Sequence, residues 1–124
     1  MPVSEFQIVI EQRTSGVTRV RICGEADIRT APEIQERLGE LAREPRERLL
    51  IDLSEATFLD STALAVLLET DRRLRARRGR LAVLCPDPAM RELFVLVGHN
   101  LIFPVEETEH RALRHLTGRR RLGR

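Results

Sequence analysis

A chain of 124 residues, 42% hydrophobic and 32% charged, has the length of one domain and enough apolar side chains to bury a core unaided, which excludes wholesale disorder. Its longest apolar run, Ala63 to Leu68, is far short of the roughly 20 residues that span a bilayer, and no charged-then-apolar leader is visible. Two cysteines, Cys23 and Cys85, make no disulfide framework and lack zinc-site spacing, so the expectation is a reduced, cytoplasmic, single-domain protein.

The net charge of +2 conceals an asymmetry. Residues 111–124 hold six of the 21 basic residues and no acid, and removing them leaves 15 basic against 19 acidic residues, a body of −4. The basic character therefore belongs to the end of the chain. Residues 1–117 are expected to form the domain and 118–124 a flexible arginine-rich tail. All the basic residues are arginine, which fits a coding bias better than a function.

Phe6, Ile8 and Ile10 alternate with Gln7, Val9 and Glu11, the pattern of a half-buried strand. Turn residues Thr14-Ser15-Gly16 follow. Thr18, Val20 and Ile22 alternating with Arg19, Arg21 and Cys23 predict a second strand, antiparallel to the first and ended by Gly24. Thr30-Ala31-Pro32-Glu33 reads as a helix start in which Thr30 caps and Glu33 reaches back, with Ala31, Ile34, Leu38 and Leu41 on one face. Leu49-Leu50-Ile51 and Leu81 to Cys85 are continuous apolar runs, as expected of strands covered on both faces.

Between those runs a helix is predicted over residues 61–78, buried all round in its apolar first half, solvated from Asp71 onward and stopped by Gly79. Asp87-Pro88 opens another helix with Met90, Leu93, Phe94 and Val97 on one face and Gly98 at its end. Leu101-Ile102-Phe103 is a short predicted strand, and Glu106 to Glu109 starts a last helix with acids first and Arg111, Arg114 and His115 last, as the helix dipole favours. The order ββαβαβαβα predicts an α/β fold: a mostly parallel, mixed sheet of about five strands with about four helices, its first strand added antiparallel.

The most informative stretch runs from Asp52-Leu53-Ser54 through Thr57, Phe58 and Leu59 to Asp60-Ser61-Thr62-Ala63-Leu64. A buried strand ends, a loop follows, and a hydroxyl pair opens an apolar helix with Ser61 at or next to the N-cap. Asp, Ser and Thr are the preferred capping residues and could stand here for that reason alone. Three polar candidates in a row exceed what one cap requires, however. A second acidic loop, Gly24-Glu25-Ala26-Asp27, follows the second strand and would open at the same sheet edge, where α/β sheets place their sites.

These two blocks resemble the STAS domain family, and within it the bacterial anti-sigma factor antagonists. Gly24-Glu25-Ala26-Asp27, Thr30-Ala31-Pro32, Asp52-Leu53-Ser54, Phe58 and Leu59-Asp60-Ser61-Thr62-Ala63-Leu64 stand in the places of the family's motifs, and the resemblance covers roughly residues 6 to 116. It implies a STAS-like fold and a phosphorylation-switched binding module, not an enzyme, of cytoplasmic transcription regulation and stress response. Its partner would be a serine-kinase anti-sigma factor that uses ATP. The unphosphorylated antagonist binds that kinase and frees the sigma factor, phosphorylation ends the binding, and a serine phosphatase would reset it. Carried over, the acceptor is Ser61. Asp27, Asp60, Thr62, Ala63, Glu25 and Thr57 form its surroundings and the partner surface, with Thr62 a second hydroxyl. The family has glycine where this chain has Ala63, whose methyl would reduce contact with a partner.

The resemblance implies no cofactor and no metal, and a monomer or weak dimer. The alternative within the family is a STAS scaffold or regulatory subunit in another signalling or lipid-transport complex. His99, His110 and His115 all lie late in the chain and no nucleophile elbow surrounds Ser61, which argues against hydrolysis. The acidic body and 3% aromatic residues argue against direct nucleic-acid binding through the arginines. Cys23 and Cys85 are expected to be buried, His110 and His115 to be solvated, and the arginine run from Arg72 to Arg80 to form a solvated face.

Overall fold

The structure, a computed structural model, describes residues 5–12, 15–98 and 103–117. Its elements are β1 (Gln7–Gln12), β2 (Thr18–Ala26), α1 (Ala31–Leu41), β3 (Arg48–Asp52), β4 (Ala56–Leu59), α2 (Ser61–Ala76), β5 (Arg80–Leu84), α3 (Pro88–Gly98), β6 (Val105–Glu106) and α4 (Glu109–Thr117). The sheet order is β1-β2-β3-β5-β6, with β4 also paired to β2. β1 runs antiparallel to β2 and every other pairing is parallel. The mixed α/β sheet with four helices is the expected architecture, with six strands in place of about five.

The apolar runs are strands buried on both faces because helices cover both sides. Leu49 and Ile51 of β3 point into one core with Ile34 and Leu38 of α1, Leu64, Leu67 and Leu74 of α2 and Phe94 of α3. Leu50 points the other way, against Ala112 and Leu116 of α4. Phe94 meets Phe103 edge to face, at 6.3 Å between ring centroids and 80° between planes. α4 is also tied to the sheet by charge. Arg19 holds the buried Asp52 carboxylate at 2.6 Å and reaches Glu109 at 3.1 Å. Burial works against the charge on Asp52, but hydrogen bonds from Ser54 and Arg19 outweigh it and hold the carboxyl below its ordinary range.

The structure corrects several expectations. Gly24 does not end β2. It sits at φ +89° where the β2–β4 register shifts, and a Cβ there would lie 3.0 Å from the Glu5 carbonyl oxygen. The segment after Asp52 is not all loop: Ala56–Leu59 is β4, which continues alongside β2 where β3 leaves off. Thr30 makes no side-chain cap to α1; its hydroxyl accepts from the Asp27 N–H at 2.9 Å and donates to the Glu25 carbonyl at 2.9 Å. The first half of α2 is buried on one side only, since Ala65 is exposed and Val66 and Leu68 are half-buried.

Asp71, in the half expected to be solvated, is 1% exposed; burial pushes its carboxyl up, opposed by Arg75 at 2.9 Å. Cys85 is buried, its thiol pushed up to about 11, but Cys23 is only half-buried. The last strand is Val105–Glu106, two residues beyond Phe103, which is a buried core residue instead. Thr14, the Val97 side chain, His99, Leu101, Ile102 and the tail 118–124 lie outside the described residues. His110 and His115 are exposed on α4, and His115 Nε2 lies 2.9 Å from Glu106.

α2 ends in a Schellman motif: the Gly79 N–H donates to the Leu74 carbonyl at 2.7 Å and the Arg78 N–H to the Arg75 carbonyl at 3.1 Å. Arg78, not Gly79, takes the left-handed position, at φ 66°. Gly79 is required for another reason, because a Cβ would stand 2.3 Å from the Glu47 carbonyl oxygen. Gly39 inside α1 would put a Cβ at an ordinary 3.6 Å from Arg73. The same substitution therefore has opposite signs at the two sites. Urea denaturation should show Gly79→Ala destabilising by about 2–3 kcal/mol through overpacking, and Gly39→Ala stabilising by about 0.5–1 kcal/mol through helix propensity. A neutral Gly79→Ala would refute the close approach.

Candidate functional site

The register of β4 delivers the Asp-Ser-Thr block to the acidic loop. Glu25 pairs with Phe58 and Ala26 with Leu59, and the next N–H, of Asp60, donates to the Ala26 carbonyl at 3.1 Å. Asp60 has extended backbone geometry and is the N-cap of α2. One carboxylate oxygen accepts from the Ala63 N–H at 3.0 Å; the other accepts from the Ile28 N–H, in the β2–α1 loop, at 3.1 Å. A single side chain thus caps the helix and joins the two loops that the sequence placed at one sheet edge.

Ser61 and Thr62 are the first two residues of α2 and both are exposed. Neither hydroxyl makes a hydrogen bond with another described residue, and the amides of Ser61 and Thr62 find no acceptor there. Asp60 has taken the capping role that Ser61 could have filled. Directly beneath, Ala63 is 1% exposed and Leu64 and Leu67 are buried, so the start of the helix rests on the core. The Ala63 methyl faces that core, contrary to the expectation that it would stand at a partner's surface.

Asp27 is not a free acid beside the serine. It is 8% exposed and builds its own loop. Its Oδ1 accepts from the Arg29 N–H at 2.9 Å and its Oδ2 from the Arg29 guanidinium at 2.7 Å, while Arg29 also reaches Glu25 at 2.7 Å. The hydrogen bond from the Arg29 side chain is the main force holding the Asp27 carboxyl below its ordinary range. Glu25 and Thr57 are exposed on β2 and β4. Ile28 and Phe58, on the loop and strand that meet at Asp60, are exposed to 67% and 49%, large for apolar side chains. Sequence reasoning gave a role at the site to neither Ile28 nor Arg29, and treated Phe58 only as a motif aromatic. An apolar residue inside a polar loop, Ile28 between Asp27 and Arg29, was the available signal.

Comparison with protein-family models matches residues 8–112 to the STAS domain. The chain belongs to the STAS domain family. The anti-sigma-F factor antagonist RsfB of Mycobacterium tuberculosis is 31% identical to it over 106 residues, 86% of either chain. The anti-sigma F factor antagonist of Paenibacillus polymyxa is 30% identical over 112 residues, 90% of this STAS domain and 95% of that protein. Among solved structures, an anti-sigma factor antagonist from Mycobacterium paratuberculosis superposes with a TM-score of 0.79 at 33% identity, covering 90% of this chain and 94% of that one. No helix among the described residues is long and apolar enough to cross a membrane.

The division of labour between Asp60 and Ser61 has a measurable consequence. Asp60→Ala should cost about 1–2 kcal/mol, because two backbone amides lose their acceptor. Ser61→Ala should stay within about 0.5 kcal/mol of the parent, since the hydroxyl bonds to no other described residue. Thermal or urea denaturation of the two variants distinguishes the roles, and equal losses would mean that Ser61 shares the cap.

Proposed function

We propose that this STAS domain is an anti-sigma factor antagonist, a non-enzymatic cytoplasmic module switched by phosphorylation of Ser61. Its partner is an anti-sigma factor with ATP-dependent serine-kinase activity, and a serine phosphatase returns it to the binding state. The observation that carries the reading is an exposed serine hydroxyl with no bond to another described residue, at the first position of a helix that another residue caps. Supporting it are the relatives' names, each an antagonist of an anti-sigma factor.

The chemistry asked of this chain is small. The Ser61 Oγ attacks the γ-phosphorus of ATP, the O–P bond forms as the bond to ADP breaks, and the hydroxyl proton passes to a base on the kinase. The product carries about −1.5 to −2 charges at pH 7. The amides of Ser61 and Thr62, which have no acceptor among the described residues, and the positive pole of α2 accommodate it, so the fold survives. Asp27 adds little repulsion, because Arg29 already pairs with it.

The partner meets a different surface. To bring ATP to Ser61 it has to close over this edge, where the exposed Ile28 and Phe58 offer apolar contact. A doubly charged group sealed into that contact, next to Asp60 and without a new cation, has lost its water and gained no counter-ion. Binding is released while the antagonist stays folded. Thr62 is a weaker acceptor candidate, a β-branched hydroxyl one step further into the helix.

Ser61→Asp should weaken partner binding by at least tenfold, about 1.4 kcal/mol, with the melting temperature within a few degrees of the parent. Incubation with the kinase and ATP should add one phosphate at Ser61, and Ser61→Ala should abolish it. Unchanged affinity of the aspartate variant, or labelling confined to Thr62 or Ser54 by mass spectrometry, would overturn the switch.

A further inference from the structure

The arginine run after the middle of α2 is not one uniform solvated face. Arg72 and Arg73 pair with Glu69 at 2.7 and 3.2 Å, Arg75 pairs with Asp71 at 2.9 Å, and Arg80 donates to the His115 carbonyl at 3.0 Å. Arg77 and Arg78 make no side-chain bond to any described residue. They converge with Arg46, equally without a side-chain partner there, from the turn between α1 and β3. Pro45, Arg46, Ala76, Arg77 and Arg78 line a surface cleft of about 450 Å³ that contains no acidic side chain.

The backbone under this cleft is fixed and unusual. The Arg46 N–H donates to the Arg77 carbonyl at 2.8 Å, and the Arg80 N–H to the Glu47 carbonyl at 3.0 Å, so the two turns are locked together. Arg46 at φ 61° and Arg78 at φ 66° are the two described residues other than glycine in the left-handed region. Glycine or asparagine would hold either position with less strain, and at a helix C-terminus glycine is the common choice. Strained backbone retained under a rigid cleft points to a use for the side chain it carries.

We propose that this cleft binds an oligophosphate chain, free or as the phosphates of a nucleotide. Three guanidinium groups, with no acid among the residues that line the cleft, complement its negative charge. Each presents paired N–H groups that fit phosphate oxygens two at a time. The negative pole of α2 is blunted, because the Leu74, Arg75 and Arg77 carbonyls already accept hydrogen bonds. The cleft lies at the opposite end of α2 from Ser61, so it is independent of the phosphorylation switch.

The test is a titration of the full ¹⁵N-labelled chain with sodium tripolyphosphate in about 150 mM salt, where loose surface attraction is screened. The amides of Arg46, Arg77, Arg78 and Gly79 should shift together and saturate below about 1 mM. Arg78→Gly should lower the affinity at least fivefold while raising the melting temperature, since it removes a guanidinium and relieves the left-handed arginine. ATP should shift the same amides: equal affinity assigns recognition to the phosphate chain, and tighter binding to a nucleotide. Shifts confined to residues 118–124, an unchanged affinity of Arg78→Gly, or equal binding of a poly-glutamate peptide at the same amides would overturn the proposal.

Discussion

The two oxygens of the Asp60 carboxylate go to two different backbone amides, Ala63 at the start of α2 and Ile28 in the loop after β2. Much of the site geometry follows from that bridge. A helix N-terminus leaves four N–H groups without intrahelical partners, and an acceptor from the preceding residue is a common remedy. Here the same acceptor also fixes a loop from another part of the chain. Because Asp60 does this, the serine beside it makes no hydrogen bond to another described residue, which is what the proposed modification of its hydroxyl requires.

The bridge in turn depends on β4. β3 pairs with the first half of β2 and β4 with its last residues, so the chain between Asp52 and Asp60 stays beside β2 and carries Asp60 to Ala26. Gly24 permits the register shift that lets one strand serve both partners. The acidic loop owes its shape to Asp27, folded inward onto Arg29 and the Thr30 amide. What remains outward at this edge is three hydroxyls (Thr57, Ser61 and Thr62), two apolar side chains and the Arg29–Glu25 ion pair. On the proposed switch, such a surface packs dry against a partner and does not hold a new dianion in that contact.

Much of this was legible in the sequence. Alternation in β1 and β2 and the continuous apolar runs of β3 and β5 reflect burial directly, and they determined the sheet. The two motif blocks met where expected. β4 was hidden because four residues, Ala56 to Leu59, with only Leu59 buried, leave no alternation to detect. Which of Asp60 and Ser61 caps could not be read from composition, since both are favoured there; the backbone geometry of Asp60 decides it. Thr30 looked like a cap and is instead held by the Asp27 loop, a long-range arrangement with no local signal. Asp71 looked solvated because it begins a charged stretch, yet helical geometry turns it inward, where Arg75 meets it.

The central claim is that phosphorylation acts on the partner's surface and leaves the Asp60 bridge intact. Hydrogen exchange at the Ala63 and Ile28 amides, compared between the unmodified and Ser61-phosphorylated protein, tests it most directly, because both amides are protected by that one carboxylate. Equal protection in the two forms is the predicted result. Loss of protection at either amide on phosphorylation would show that the phosphate breaks the bridge, and that the switch works by remodelling the fold.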